Sequence, residues 1–213
     1  MMKLLTNYYL ELIPSGDFFI TLLAHLKEIK KFYGLYNNQI PMLPHVSLLV
    51  NFDIPKTTLR NVQNIIERNI NVKSDLSYEV KNLVCVENLY KPNTYIIAYN
   101  IQLSKNFIEC HKNIVSDLSN IVTFEFDDYT LDNFWYHMTI IKDLDKDTAK
   151  NIYTALCNSY INTIKYRTTN PIIMLTKNGN PVSGFSRRKR MWREPESFIP
   201  NVTKSIYEMT PYF

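Results

Sequence analysis

Two segments of this chain share one pattern. His45-Val46-Ser47-Leu48-Leu49 and His137-Met138-Thr139-Ile140-Ile141 both read histidine, apolar, hydroxyl, apolar, apolar. Both lie in β-rich stretches, and alternate residues of a strand share a face. His45 and Ser47 therefore project together, as do His137 and Thr139. Val46, Leu48, Met138 and Ile140 turn the other way, into a core. The copies are 137 − 45 = 92 residues apart, one in each half of 213 residues. The spacing predicts two halves of similar architecture whose histidine strands meet across one cleft.

The flanking sequence supports that repeat. Tyr8 to Ile13 reads as a strand ended by Pro14-Ser15-Gly16. Residues 17–34 read as a helix, with Asp17 as N-cap, Gly34 as its stop, and Phe18, Leu22, Leu26, Ile29 and Tyr33 as its apolar stripe. His45 to Phe52 is the first histidine strand, and 56–70 a helix carrying Leu59, Val62, Ile66 and Ile70. Tyr78 to Leu89 and Thr94 to Leu103 form a hairpin turning at Asn93. Residues 105–122 read as a helix capped by Ser104, Phe134 to Ile141 as the second histidine strand, and 146–161 as a helix capped by Asp145. Ile172 to Thr176, Asn178-Gly179 and Val182 to Trp192 read as a closing hairpin. Hairpins among interleaved helices favour antiparallel pairing, and so an α+β fold over a doubly wound parallel sheet. No linker or low-complexity block interrupts the chain before residue 186. The expectation is one domain over 1–213, with 193–213 as a tail.

Composition removes several function classes. Four glycines exclude Gly-rich nucleotide loops. Three distant cysteines, Cys85, Cys110 and Cys157, form neither a metal knuckle nor a paired disulfide framework and favour a reducing compartment. No apolar run approaches the roughly 20 residues that span a bilayer, so no membrane partner is expected. The net charge of +4 suits an anionic ligand but is far from a polybasic binder. The chemistry must come from side chains.

Two histidines flanking a phosphate can divide acid and base work, because an unperturbed imidazole titrates near pH 6.5. Ser47 and Thr139 would donate hydrogen bonds to the non-bridging oxygens. The scheme requires no metal or other cofactor. The other histidines, His25 and His111, sit on predicted helices without a hydroxyl partner and read as packing or boundary residues.

The pair His45-x-Ser47 and His137-x-Thr139 resembles the signature of the 2H phosphoesterase superfamily, the LigT-like fold. The resemblance covers residues 8 to 192 in element order and rests on the two short motifs at the residue level. It implies two lobes with antiparallel sheets lining a central cleft, helices outside, and metal-independent action on 2′-linked or 2′,3′-cyclic phosphates. His45 and His137 match the catalytic pair, and Ser47 and Thr139 the phosphate-binding hydroxyls. Ser47 stands where the family often has Thr, which keeps the hydroxyl and loses the methyl.

Substrate clues are thinner. Nucleotide clefts stack bases on aromatic rings. Trp135 falls on the His137 face of its strand, with a core role as the competing reading. Tyr9 and Tyr36 are further candidates, from a cluster with Tyr8, Phe32 and Tyr33 that is expected to be mostly core. Tyr90, Tyr95 and Phe185 are weaker. Ser186-Arg187-Arg188-Lys189-Arg190 is the one dense basic run. It reads as a solvated strand, as the source of one phosphate-gripping arginine (Arg188), or as an import signal. Glu125 to Asp128 reads as a loop.

A 2′-5′ linkage leaves a 3′-hydroxyl beside the phosphorus. One histidine would deprotonate it for attack, giving a 2′,3′-cyclic phosphate, and the other would protonate the 5′-oxygen; direct attack by water is equally compatible. The Asn-, Lys-, Ile- and Tyr-rich composition is what an AT-rich genome produces. With the viral members of the family, it leads to the expectation of a cytoplasmic enzyme, in the host cell if viral, that cleaves 2′-5′-linked messengers such as 2′3′-cGAMP or 2′-5′ oligoadenylate. The expected partner is a nucleotide substrate, with no obligate protein partner. Rival readings are an RNA-end or 2′,3′-cyclic phosphate phosphodiesterase, a non-catalytic nucleotide-binding module, and a metal hydrolase, the last disfavoured for want of a third ligand beside the histidines.

Overall fold

The structure, a computed structural model, describes residues 7–14, 16–41, 43–54, 58–73, 75–89, 91–124, 134–159, 166–169, 171–178, 180–186, 190–194 and 198. Among the described residues, ten strands and four α-helices follow one another along the chain. β1 is Tyr8–Ile13 and α1 Gly16–Tyr33; a 3-10 turn, Asn37–Gln39, precedes β2, Val46–Asp53. α2 (Leu59–Val72), β3 (Tyr78–Glu87), β4 (Tyr95–Leu103), α3 (Lys105–Leu118), β5 (Thr123–Phe124) and β6 (His137–Leu144) follow. α4 (Lys146–Cys157), β7 (Tyr166–Thr168), β8 (Ile172–Lys177), β9 (Asn180–Ser186) and β10 (Met191–Arg193) complete the order.

The strands form one curled antiparallel sheet in the order β10-β9-β8-β1-β2-β6-β4-β3-β7, with β5 on β2. The two halves join edge to edge at its centre, where β2 meets β6 through the single pair Val46↔Met138. β1, β2 and β8–β10 build one lobe, and β3, β4, β6 and β7 the other. The C-terminal strands thus return to the first lobe, through six-residue pairing of β8 with β1. Val46 and Met138 have no solvent exposure and lie in the main core with Leu48, Ile140 and the stripes of the helices. Burying side chains of this size contributes about 1.5–3 kcal/mol each.

The pseudo-symmetry reaches beyond the predicted motif. Asn51 and Asp143, each six residues after its histidine, take left-handed φ values of 49° and 58°. Asn and Asp tolerate that conformation better than other non-glycine residues. Each histidine strand therefore kinks at the same distance from its histidine.

Most helix signals act as their chemistry predicts. Ser104 Oγ accepts from Phe107 N at 3.2 Å, and Asp145 caps α4 through the amides of Asp147 and Thr148. Gly34 ends α1 at φ 62°, with Leu35 N donating to Lys30 O. Asp17 is not the cap: α1 already includes Gly16, and Asp17 lies in its first turn, where its charge suits the helix dipole. α3 stops at Leu118, short of residue 122. The long strand expected over Val182–Trp192 is two strands, because Arg190 adopts φ 49° in a turn closed by its N–H on Ser186 O. Phe32 and Tyr36, placed by sequence in a mostly buried cluster, are 81% and 74% exposed. Tyr90, Gly179, the 125–128 stretch, residues 187–189 with Arg188, and all of the 195–213 tail except Phe198 lie outside the described residues.

Candidate active site

The β2–β6 junction fixes the site. Val46 and Met138 form the single antiparallel ladder pair between the two strands, and the antiparallel sense extends that register by one residue on each side. His45 falls opposite Thr139, and Ser47 opposite His137. The four side chains form a two-by-two set on the face away from the core, and all four are half-buried. In such a set the diagonal pairs are about 7–8 Å apart and direct neighbours about 4.5–5.5 Å. The histidines occupy one diagonal and the hydroxyls the other.

Both imidazoles are held in the same way. His45 Nδ1 lies 2.6 Å from Leu43 O, and His137 Nδ1 lies 3.0 Å from Trp135 O. Each carbonyl belongs to the residue two before its histidine. A carbonyl only accepts, so both rings carry hydrogen on Nδ1. In the neutral form, Nε2 is then the basic nitrogen of each ring.

The surroundings break this symmetry. Glu11, on β1 opposite Ser47, places Oε1 3.6 Å from His45 Nε2. Burial raises the Glu11 pKa, while the His45 charge and the Thr176 hydroxyl hold it down. At 6% exposure, Glu11 is the one carboxylate among the described buried polar residues. Among the described residues, no carboxylate pairs with His137. Trp135 stacks on its ring, with centroids 4.0 Å apart and planes within 15°. Burial lowers the His137 pKa, partly offset by the Trp135 carbonyl, and the His45 charge lowers it further. His137 is thereby biased toward the neutral form.

Trp135 therefore lies on the cleft side and not in the core. It is 37% exposed, and its Nε1 donates to Asn100 Oδ1 at 2.8 Å. Asn100 sits opposite His137 on β4. Tyr9 shares the Glu11 face of β1 and is half-buried beside Thr176. Tyr36 precedes the 3-10 turn and points to solvent; no described contact joins it to the histidine set.

His111 is wholly buried, as a packing residue should be, but it also bridges the two histidine strands. Its Nε2 lies 2.6 Å from Leu48 O on β2, and its Nδ1 lies 2.7 Å from the hydroxyl of Tyr136, the neighbour of His137. Because the strands share one ladder pair, this bridge fixes their separation. Burial pushes the His111 pKa down to about 4, despite the bond to Leu48.

Glu11, Asn100 and the bridging role of His111 carry no local motif. They reach the site through strand register and helix packing, which the sequence does not display. The Asn51 and Asp143 match at the sixth position after each histidine was a readable signal. Among the described residues, no three His, Cys, Asp or Glu side chains converge as a metal-binding group. No described helix is long and apolar enough to cross a membrane.

No protein-family profile matches this sequence, and no curated protein matches it. Solved structures of similar shape do exist. Kluyveromyces marxianus Usb1 aligns with a TM-score of 0.46 and 12% identity, over 84% of this chain and 97% of its own. The same protein with uridine monophosphate aligns at 0.46 and 10%, over 83% and 96%. E. coli LigT in its apo form aligns at 0.48 and 10%, over 85% and 96%.

Proposed function

We propose that the chain is a 2H-type phosphodiesterase that cleaves a 2′-5′-linked nucleotide messenger, linear or cyclic, by two-histidine acid–base catalysis. The observation that supports it is the four-residue set of His45, Ser47, His137 and Thr139 on one face of the β2–β6 junction, with both Nδ1 atoms tied to carbonyls. A phosphate centred on that set would meet a nitrogen on each side and a hydroxyl donor along the other diagonal.

The asymmetry supports one division of roles. His137, whose pKa burial lowers, serves as the base, and His45, with the Glu11 carboxylate 3.6 Å from its Nε2, as the acid. His137 Nε2 takes the proton of the 3′-hydroxyl, and the 3′-oxygen attacks phosphorus. The bond from phosphorus to the 5′-oxygen breaks as His45 delivers its proton to that oxygen. A 2′,3′-cyclic phosphate and a free 5′-hydroxyl result, with the proton now on His137. Ser47 and Thr139 donate to the non-bridging oxygens, where charge grows. Each positioned proton transfer contributes on the order of 10²–10⁴-fold. On this reading the messenger belongs to innate immune signalling and the enzyme blunts it in the cytoplasm. A second reading, action on RNA ends or 2′,3′-cyclic phosphates, would use the same two histidines, with water as the attacking group where the phosphate is already cyclic.

The test is product analysis, with and without EDTA, on 2′3′-cGAMP, 3′3′-cGAMP, 2′-5′ oligoadenylate and a 2′,3′-cyclic mononucleotide. Cleavage confined to the 2′-5′ linkages is the expected result. Turnover of the cyclic mononucleotide alone would move the assignment to RNA ends, and no turnover of any of the four would refute it.

A further inference from the structure

His137 is held by more than a carbonyl. Trp135 lies two residues before it on the same face of the chain. Its indole stacks on the imidazole, with centroids 4.0 Å apart and planes within 15°. Its carbonyl takes the Nδ1 hydrogen at 3.0 Å. One residue thus fixes the ring along its edge and across its face, and Nε2 is the nitrogen left for a substrate. The indole itself has to be held, because Trp135 is exposed at the rim of the cleft, where other rotamers are open to it.

Asn100 supplies the hold, and strand register puts it there. It pairs with His137 on β4, and the ladder continues one step outward through the bond from Ile101 N to Tyr136 O at 3.0 Å. Trp135 and Asn100 are then diagonal neighbours on one face, a separation that aromatic side chains span. Indole Nε1 only donates, so the Asn100 atom 2.8 Å from it is the carbonyl oxygen. That orients the Asn100 amide, whose Nδ2 donates to Asn82 Oδ1 at 3.3 Å. Asn82 Nδ2 in turn donates to the Leu83 carbonyl at 3.2 Å. Three bonds of one sense therefore run from Trp135 across β4 to the β3 backbone. Neither amide can flip without breaking two of them.

We infer that Asn100 is a positioning residue, which through this relay keeps the Trp135 indole flat on His137 and so aims His137 Nε2 at the scissile phosphate. The effect on rate rests on the base role proposed for His137; the relay and the stack do not. A reacting group displaced by about 1 Å costs about 10²-fold in rate, so a plane that removes ring tilt acts directly on kcat. Asparagine suits the position better than a carboxylate. It accepts from the indole, donates onward to Asn82, and adds no charge beside an imidazole that acts as a base in its neutral form. Among the described residues, the charged group acting on His137 is His45, across the β2–β6 junction, and His45 is itself faced by Glu11 from β1. Asn100, facing His137 from β4, is neutral.

The stack can be read without turnover. Trp192 is the other of the chain's two tryptophans, so Trp192→Phe leaves Trp135 as the emitter. An imidazolium against an indole quenches its emission more than a neutral imidazole does, so a fluorescence titration through the histidine range, about pH 4.5 to 8, follows His137. His137→Ala should abolish that titration. Asn100→Leu keeps the size of the side chain and removes both bonds; it should remove most of the amplitude. On whichever of the four substrates named above the wild type cleaves, it should lower kcat by about 10-fold, with KM within about 2-fold. Asn100→Asp keeps the acceptor, so the amplitude should remain and the midpoint should move to higher pH, because the new carboxylate favours the imidazolium. In a Trp135→Phe background, which has no N–H to hold, Asn100→Leu should change kcat by less than about 2-fold. Full amplitude and unchanged kcat in Asn100→Leu would overturn the inference and leave the two-histidine reading standing. An equal kcat loss with and without the indole N–H would also overturn it, by giving Asn100 a role apart from Trp135. Amplitude that survives His137→Ala would deny the stack and overturn it too. Amplitude lost in Asn100→Leu, in a protein that cleaves none of the substrates, would keep the relay and refute the catalytic reading.

Discussion

Stability should fall in mild acid because of one buried histidine, His111. Its pKa is about 4 in the folded chain and near 6.5 when unfolded. As pH drops below 6.5 the unfolded chain takes up a proton that the folded one refuses. The stability present above pH 6.5 is therefore lost progressively until the folded ring itself titrates near pH 4. At about 1.36 kcal/mol per pH unit, the full window is worth about 3 kcal/mol. That is a large share of the 5–15 kcal/mol typical of a domain. Glu11, whose pKa is raised by burial, acts in the opposite sense, and His137, lowered by burial, in the same sense. Both remain in a His111→Gln variant, so the difference between the two proteins isolates His111. Urea unfolding at pH 7.5, 6.5, 5.5 and 4.5 reads it. At pH 7.5 wild type should be the more stable, by about 1–3 kcal/mol, for the bonds to Leu48 and Tyr136. That margin should shrink by about 1.4 kcal/mol per pH unit below 6.5. Parallel pH profiles for the two proteins would refute the reasoning, since they would mean that His111 binds protons equally in both states.

Three further outcomes follow from the site. Glu11→Gln removes the carboxylate 3.6 Å from His45 Nε2 and should lower kcat by about 10-fold for a contact worth about 1.5 kcal/mol; an unchanged kcat would remove Glu11 from the account. Trp135→Ala uncovers the His137 ring, and because burial is what depresses that group, the acidic limb should rise toward pH 6.5. Ser47→Ala and Thr139→Ala should each lower kcat by about 10²–10³ with little change in unfolding midpoint, while Thr139→Ser retains activity; steady-state kinetics beside a melting curve separates the two effects.

What the sequence made legible follows from physics that acts locally. Alternation in His45–Leu49 and His137–Ile141 placed the histidines and hydroxyls on one face, and the register at Val46–Met138 agrees with that placement. Ser104, Asp145 and Gly34 act within a few residues of themselves, and their capping was readable for the same reason. The rest depends on long-range pairing. Glu11 is thirty-four residues from His45 in the chain and meets it only because β1 lies beside β2. Asn100 meets Trp135 through the β4–β6 pairing, and His111 reaches two strands at once from α3. β5 and β7, two and three residues long, are too short to show a period. Nothing in the sequence assigns β8–β10 to the first lobe, since that is a choice of sheet edge and not of local conformation.

Single-turnover rates for His45→Ala, His137→Ala and the double variant, measured on a substrate that the wild type cleaves, address the central claim most directly. Acid and base acting in one step form a unit, so their losses do not multiply. Each single variant should lose about 10²–10⁴-fold, and the double variant should fall no more than about 10-fold below the weaker single. A single variant that keeps activity within about 10-fold of wild type, or losses that multiply in the double, would contradict a shared acid–base role for the two histidines.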